Sequence, residues 1–525
     1  SLSFDQKELV FAESGRIRTT SSIKRSDSGC DTADGAAASW EHGRPVRSGL
    51  GARTSRPLRA GSTDVPSAVS SIDHDCGSDN GGAHGLDCVD VSARRISNGI
   101  FTLQIDEHAN MLVTARHKDN QIVEYGLNLK FQDIGDGGDS YNFDPIKDDV
   151  PIVARLKSVS PHLLGPLVGS LRLIHEIDIP ESAVRSDDRA WLGSRRDLED
   201  LPVLKRSKGV LRHELITDVI LKRGVPIVFF DTSWQNLASD HRLEVLIDTG
   251  APVKTTWSEN HFCLIERKLA KNVVDLPVGR AEEAPLDRFA CQRFFLANKQ
   301  VFLNAGLSEY AVEGNKVAYT ILRAVSMLSR KRLLTRGGGA GPHMPVPEAN
   351  CPGLNQVSFG WAPLAVLSDS QDNCINDADI AAAYIFAESF EDPLWLSPMG
   401  RGGGRETDNL LDRLSTWHCQ GNHFKALALN DQNVRVTALY SQDGGKSFLL
   451  RLLNTSPLPR SCRLDIYMPV KKVELVSLSG KRVKTSRIGR DGSLNLAFGK
   501  NELLTLKLTP AGDALPGPQP EPEPE

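Results

Sequence analysis

A glycine-rich loop that follows a predicted β-strand, residues 135–145, carries the side chains best suited to chemistry in this chain. Its sequence, GDGGDSYNFDP, places two carboxylates, Asp136 and Asp139, close to the phenol of Tyr141. Glycines accept positive φ and let a ligand approach the backbone, so such a loop can direct polar side chains into a cleft that binds sugar. The alternative is an ordinary solvated turn, because glycine and aspartate are also frequent turn formers.

Segments of alternating polarity surround this loop and predict antiparallel strands. Residues 101–105 and 111–115 each alternate apolar and polar side chains on either side of a polar turn, which predicts a hairpin. Four later segments complete the pattern: HELITDVILKRGVPIVFFDTSWQN, SDHRLEVLIDTG, NAGLSEYAV and AYTILRAVSMLSRKRLLTRGGGAGP.

In this order and at these separations, the segments resemble the C-terminal part of glycoside hydrolase family 38, the zinc-dependent α-mannosidases. The similarity is greatest to the bacterial-type branch that includes mannosylglycerate hydrolases, and it extends over residues 92–510. Its most specific pieces are the Gly/Asp/Tyr loop, the strand entry DHRL at residues 240–243 and the block at residues 322–342. The long, charged insertion at residues 182–208 and the first ninety or so residues depart from the family pattern.

The resemblance implies an all-β chain. We expect a large antiparallel β-sandwich of the galactose mutarotase type at residues 92–429 and a small terminal β-sandwich at residues 430–510. Short alternating strands after residue 430 predict the second sandwich independently. Residues 1–91 lack apolar periodicity and are predicted to be disordered, and residues 511–525 form a Pro/Glu tail without a fold.

The resemblance also implies a function. Tyr141 would contact sugar hydroxyls in the glycone subsite, and Asp139 would either hold the loop or bind a hydroxyl. In this family a preceding domain holds the zinc and the catalytic nucleophile, and we find no His-x-His, His-x-Asp or His-Glu-x-x-His motif of that kind here. We therefore expect a fragment, a processed C-terminal chain or a homologue without its catalytic domain.

Such a chain would share an α-mannoside substrate with a catalytic domain and would contribute no catalytic residue of its own. Asp136 and Asp139 are expected to be too exposed and too loop-bound to serve as the catalytic pair. The alternative is a stand-alone carbohydrate-binding or scaffold subunit that performs no chemistry. A homo-oligomer is compatible with either function.

No cofactor is expected in this chain; zinc is expected only in the missing catalytic domain. Two groups of histidines and cysteines have the chemistry of zinc ligands, but we interpret both as incidental: His74, Cys76, His84 and Cys88, and His418, Cys419 and His423. The run RGGGAG at residues 336–341 lacks the Gly-Lys-Ser/Thr ending of a nucleotide loop. The basic run SRKR at residues 329–332 predicts a solvated strand edge.

Charge and composition exclude several classes of protein. A net charge of −4, from 62 basic and 66 acidic residues, gives no general attraction to nucleic acid, and no nucleic-acid-binding motif is present. No apolar run has transmembrane length, so no membrane partner is expected and cytoplasm is the default location. The nine cysteines are scattered and odd in number, which is typical of reduced thiols. One glycosylation sequon, Asn454-Thr455-Ser456, is the single hint of secretion.

Overall fold

Antiparallel β-strands make up nearly all the regular secondary structure in the computed structural model of this protein. The structure describes residues 88–107, 110–185, 204–269, 283, 288–331, 333–368, 374–391, 419–420, 423–424, 427–442 and 446–511. The predicted disordered segment therefore lies outside the described residues up to residue 87, and so does the predicted tail from residue 512 onward. The prediction of an all-β chain with a large and a small sandwich is confirmed.

The strands are numbered along the chain. The first eight are β1 (Asp90–Ser92), β2 (Arg95–Ser97), β3 (Phe101–Ile105), β4 (Met111–Arg116), β5 (Ile122–Gly126), β6 (Lys130–Gly135), β7 (Ile152–Val153) and β8 (Arg155–Leu164). The next eight are β9 (Val168–Pro180), β10 (Ala183–Arg185), β11 (Leu204–Arg206), β12 (Val210–Lys222), β13 (Val228–Asn236), β14 (His241–Asp248), β15 (Thr255–Glu259) and β16 (Leu264–Lys268).

The second half of the chain supplies the remaining strands. They are β17 (Arg288–Ala290), β18 (Phe294–Ala297), β19 (Gln300–Asn304), β20 (Glu309–Glu313), β21 (Lys316–Ala324), β22 (Gly353–Pro363), β23 (Cys419–Gln420) and β24 (His423–Phe424). The last eight are β25 (Leu427–Leu429), β26 (Val434–Gln442), β27 (Ser447–Asn454), β28 (Arg460–Ile466), β29 (Val470–Val476), β30 (Arg482–Ser486), β31 (Ser493–Phe498) and β32 (Leu503–Pro510). Two short 3-10 helices flank β22, at Pro347–Asn350 and Leu364–Val366.

The large sandwich has two layers. One layer is a nine-stranded sheet in the order β16-β15-β18-β19-β22-β13-β12-β9-β8. The other consists of a six-stranded sheet, β17-β20-β21-β14-β6-β7, and the five-stranded sheet β1 to β5. Strand β14 lies between β6 and β21, so that His241 pairs with Gly135 on one side and with Ala324 on the other. This register places the loop after β6 beside the segment after β21.

Apolar side chains from both layers meet in one core. The buried residues of β3 and β4 alternate with more exposed ones, and Ile105 pairs with Met111, which confirms the predicted hairpin. Across the core, Phe101 packs on Trp361 with 6.1 Å between the ring centroids. Burial of each such side chain stabilises the fold by roughly 1.5–3 kcal/mol.

One α-helix, α1 (Asp377–Glu391), packs on the outer face of the nine-stranded sheet. A capping box begins it: the Asp379 N–H donates to Asn376 Oδ1 over 3.1 Å, and the Asn376 N–H donates back to Asp379 Oδ2 over 3.1 Å. The sequence analysis did not predict this helix. Its signal was present, because Asn376 and Asp379 have capping-box spacing and an alanine-rich run follows them.

Helix α1 also joins the large sandwich to the small one. The Asp377 carboxylate accepts hydrogen bonds from Ser456 Oγ over 2.7 Å and from Arg460. Near the other end of the helix, Glu388 accepts one from Arg435 Nε over 2.7 Å. Because Ser456, Arg460 and Arg435 all belong to the small sandwich, these bonds connect the two sandwiches through the helix.

The small sandwich consists of a three-stranded sheet, β25-β28-β31, and a five-stranded sheet, β26-β27-β32-β29-β30, around their own apolar core. The sequon asparagine, Asn454, is fully buried here and donates both amide hydrogens, to the Leu458 and Gly499 carbonyls, over 2.8 Å each. Asn454 therefore stabilises a turn inside the folded chain. The described residues contain no helix that is both long and apolar enough to cross a membrane.

Candidate carbohydrate-binding loop

The loop at residues 135–145 is a closed, internally bonded turn. Asp136 Oδ1 accepts the N–H of Gly138 over 2.9 Å and that of Asp144 over 3.2 Å, and Asp136 also forms an isolated β-bridge with Pro145. A Cβ atom at Gly138 would lie 2.0 Å from the Asn142 carbonyl oxygen, so this position accepts only glycine. The Asp136 side chain therefore replaces the missing hydrogen-bonding partners of a tightly folded backbone.

The buried carboxylate of Asp139 binds the centre of the loop. Its Oδ1 accepts the N–H groups of Tyr141 and Asn142 over 3.0 Å each, and its Oδ2 accepts Arg336 Nη2 over 2.5 Å and the Arg330 N–H over 2.6 Å. Burial alone would raise the pKa of Asp139, but these hydrogen bonds and the Arg336 charge together lower it below its ordinary value. Both carboxylate oxygens are thus engaged in holding the loop.

The expectation that Asp136 and Asp139 are exposed was wrong. Both carboxylates are fully buried, because the segment after β21 covers the loop. Arg323 Nε donates to Asp136 Oδ2 over 2.7 Å, while Arg323 Nη2 donates to the Asn142 carbonyl over 2.6 Å. An arginine therefore neutralises each carboxylate, as a buried charge requires.

The prediction of a solvated strand edge at residues 329–332 was wrong for Ser329 and Arg330; Lys331 is exposed, and Arg332 lies outside the described residues. Ser329 and Arg330 are buried, and they lie in the irregular segment that follows β21 rather than in a strand. Arg330 Nε donates to the Gly138 carbonyl over 2.9 Å. The nearby Arg336 is buried as well, with its guanidinium on Asp139. The charge of Arg330, which suggested solvent exposure, serves instead to bind the loop.

Tyr141 is the member of the loop that faces solvent, with 53% of its surface exposed. Asp139 holds its backbone N–H, and the neighbouring Ser140 N–H donates to the Met327 carbonyl over 3.0 Å. A Cβ atom on Gly341 would lie 3.1 Å from the Tyr141 hydroxyl, so the phenol rests on the backbone at that glycine. Within the described part of the chain, the hydroxyl forms no hydrogen bond.

A layer of arginines supports the loop on the side of the six-stranded sheet. The Arg242 and Arg288 guanidinium groups lie 4.5 Å and 4.9 Å from the centre of the Phe143 ring. Arg242, from the DHRL strand entry, is fully buried and pairs with Glu309; its burial lowers the pKa of the guanidinium. Phe143 is thereby fixed two residues after Tyr141, which further restricts the loop.

The carboxylates around this loop do not suit zinc, because Asp136, Asp139 and Asp144 each already pair with an arginine. Among the described residues, no group of three or more His, Cys, Asp or Glu side chains could hold a metal ion. Of the two predicted incidental clusters, His74, Cys76 and His84 lie outside the described residues, as do His418 and the side chains of Cys419 and His423. Cys88 is described and exposed.

Sequence reasoning brought Asp136, Asp139 and Tyr141 together but missed the arginines that hold them. Arg323, Arg330 and Arg336 all lie in the block at residues 322–342, which was considered for its family resemblance, as a nucleotide loop and as a solvated edge, but not as a source of partners for the aspartates. Basic residues that face a cluster of aspartates across a sheet could have been expected to pair with them.

Solved structures with a similar fold are known. The chain superposes on an alpha-mannosidase from Enterococcus faecalis V583 with a TM-score of 0.60 and 19% identity, over 80% of this chain and 42% of that one. It superposes on a protein in the glycosyl hydrolase family 38 from Enterococcus faecalis with a TM-score of 0.59 and 19% identity, over 80% of this chain and 44% of the other. The chain shares the fold of part of these proteins.

The chain spans less than half the length of either neighbour. No protein-family model and no curated protein sequence matches it.

Proposed function

We propose that this chain is the non-catalytic C-terminal portion of a retaining α-mannosidase and forms part of its active-site wall. One observation carries the proposal: Tyr141 is exposed, its hydroxyl forms no hydrogen bond with any described residue, and buried ion pairs hold the backbone of its loop. An aromatic ring that is held in this way can stack on a sugar face and hydrogen-bond a hydroxyl with little loss of entropy. The fold shared with α-mannosidases supports this choice of sugar.

The catalytic pair would come from another domain. A retaining glycosidase needs a nucleophilic carboxylate and an acid/base carboxylate about 5–5.5 Å apart, both able to reach the sugar. Asp136 and Asp139 are fully buried and paired with arginines, so neither is available for that role. Zinc likewise belongs to that domain in this proposal, since the aspartates of the loop do not suit it. Of the two roles predicted for Asp139, the hydrogen bonds favour holding the loop.

Within this proposal we assign the chain to the mannosylglycerate hydrolase branch. The order along the chain of the Gly/Asp/Tyr loop, the DHRL entry and the block at residues 322–342 supports that assignment. The end of the sandwich that bears Tyr141 would be the face on which the catalytic domain docks.

The proposal is tested by two measurements. The purified chain should not hydrolyse an aryl α-mannoside with or without added zinc, and reproducible turnover would refute it. In the full-length protein that carries this chain, Tyr141→Phe should lower kcat/KM about twofold to tenfold, the value of one hydrogen bond. The melting temperature should stay unchanged, because the hydroxyl makes no contact with the core.

Tyr440→Phe provides the matched control, because Tyr440 is also exposed but lies in the small sandwich. Equal kinetics for the two variants would contradict the assignment of Tyr141. The alternative function, a carbohydrate-binding or scaffold subunit without catalysis, would be favoured if the chain alone bound methyl α-mannoside through Tyr141 and no catalytic domain were joined to it.

A further inference from the structure

The insertion that departs from the family pattern begins and ends in a regular element. Strands β9 and β12 pair along their whole length in the nine-stranded sheet, from Val168 opposite Lys222 to Pro180 opposite Val210. The pairing continues through Glu181 and Gly209 into β10 and β11, where Arg185 lies opposite Leu204. One continuous two-stranded ribbon thus runs out of the nine-stranded sheet.

One face of this ribbon end lies on the loop that bears Tyr141. Side chains alternate across a strand pair, so Arg185 and Leu204 share a face, while Val184 points to solvent. A Cβ atom on Gly137 would lie 2.1 Å from the Leu204 side chain. Position 137 therefore has room only for glycine, because the ribbon packs directly on the loop backbone.

Arg185 ties the two arms of the loop together. Its Nη1 donates to the Gly137 carbonyl and to Asp144 Oδ2, over 2.9 Å each, and its side chain is 2% exposed. Gly137 precedes Tyr141 and Asp144 follows it, so a single guanidinium group spans the base of the loop. The only other hydrogen bond to the Asp144 carboxylate that involves described residues comes from the Leu334 N–H, over 2.7 Å.

We propose that Arg185 is a positioning residue for Tyr141, supplied by the stem of the insertion. This inference rests on the proposed sugar-binding role of Tyr141, but it adds a residue from the long, charged insertion that departs from the family pattern. Without Arg185, Asp144 would be a buried carboxylate with no cation, and the side-chain link between Asp144 and the Gly137 carbonyl would be lost, which loosens the base of the loop although the Gly137 N–H still donates to the Asp144 carbonyl. Tyr141 would then lose its fixed orientation although its own contacts remain.

The test replaces Arg185 by methionine in the full-length protein, with Arg185→Lys as the conservative variant. Arg212→Met is the matched control, because Arg212 lies on the same ribbon and pairs with Asp178 at the surface. Hydrogen–deuterium exchange of residues 135–145 should accelerate at least about tenfold more than exchange elsewhere in Arg185→Met, and the melting temperature should fall because the buried Asp144 loses its cation. KM for an aryl α-mannoside should rise about tenfold, and Arg185→Lys should recover part of both effects.

The outcomes separate the two proposals. Unchanged exchange in the loop, or exchange that accelerates no more in the loop than elsewhere in the protein, would overturn the positioning role. Faster local exchange with unchanged KM would also overturn it, provided that Tyr141→Phe impairs the enzyme. If Tyr141→Phe has no effect, the proposed function fails, and the exchange of the Tyr141 amide alone decides the role of Arg185. Should Arg185→Met not fold, Asp144→Asn weakens the same ion pair and is scored in the same way.

Discussion

The ion pair between Arg336 and Asp139 should be among the most costly interactions to break in this protein. Arg336→Met leaves a fully buried carboxylate without its cation, and breaking such a pair typically costs about 3–5 kcal/mol. Three backbone N–H groups, of Tyr141, Asn142 and Arg330, would still bind Asp139, which places the expected loss near the lower limit, about 3 kcal/mol. Urea unfolding of the purified chain at neutral pH measures this difference in the free energy of unfolding.

Arg172→Met is the matched control for this prediction. Arg172 makes the same two-pronged contact with Asp218, over 2.8 Å and 2.7 Å, but its side chain is 34% exposed on the outer face of the nine-stranded sheet. Exposed pairs of this kind contribute about 1 kcal/mol or less. If Arg336→Met cost no more than Arg172→Met, the argument that Arg336 anchors the loop would be refuted.

The dependence on pH gives a second check. The pKa of Asp139 is lowered in the folded protein, so its contribution to stability is present above the unfolded pKa of about 3.9 and is lost as the pH falls below it. The difference between the wild type and Arg336→Met should therefore shrink below about pH 4. The double variant Asp139→Asn/Arg336→Met should cost less than the sum of the single variants, because it leaves no buried charge unpaired.

Two further predictions concern the small sandwich. Asn454→Ala should lower the free energy of unfolding by about 1–3 kcal/mol, because it removes the two hydrogen bonds that the buried Asn454 amide donates to the Leu458 and Gly499 carbonyls; a change below about 0.5 kcal/mol in urea unfolding would contradict this role. Glu388→Gln should leave the 8% exposed Arg435 side chain without its carboxylate and let the small sandwich unfold in a separate calorimetric transition. A single unchanged transition would argue against that coupling.

Local patterns predicted the strands well, because alternation reports which face of a strand is buried. The hairpin of β3 and β4 is an example: its register, with Ile105 opposite Met111, follows from the short polar turn between two alternating runs. Glycine content likewise identified the loop after β6. These features depend on residues close together in the chain, which is why sequence reasoning reached them.

The partners of the loop could not be predicted in this way. Arg336 lies 197 positions after Asp139, and the two meet only because β14 pairs with β6 on one side and β21 on the other. Polarity alone suggested exposed aspartates and an exposed Arg330, yet the aspartates and the arginines Arg330 and Arg336 bury one another. Charges of opposite sign can cancel inside a protein, so the polarity of either segment, considered separately, predicted the wrong environment.

Helix α1 determines where the chain can be divided for expression. Its carboxylates, Asp377 and Glu388, are 27% and 31% exposed in side-chain area and could be hydrated if the small sandwich were removed. Arg435, on the opposite side of that contact, is almost fully buried and would lose both its cover and its counter-charge in an isolated small sandwich. A fragment that keeps the large sandwich with its helix should therefore be more stable than the complementary fragment. Crystallisation of the Tyr141 loop is best attempted with the large-sandwich fragment.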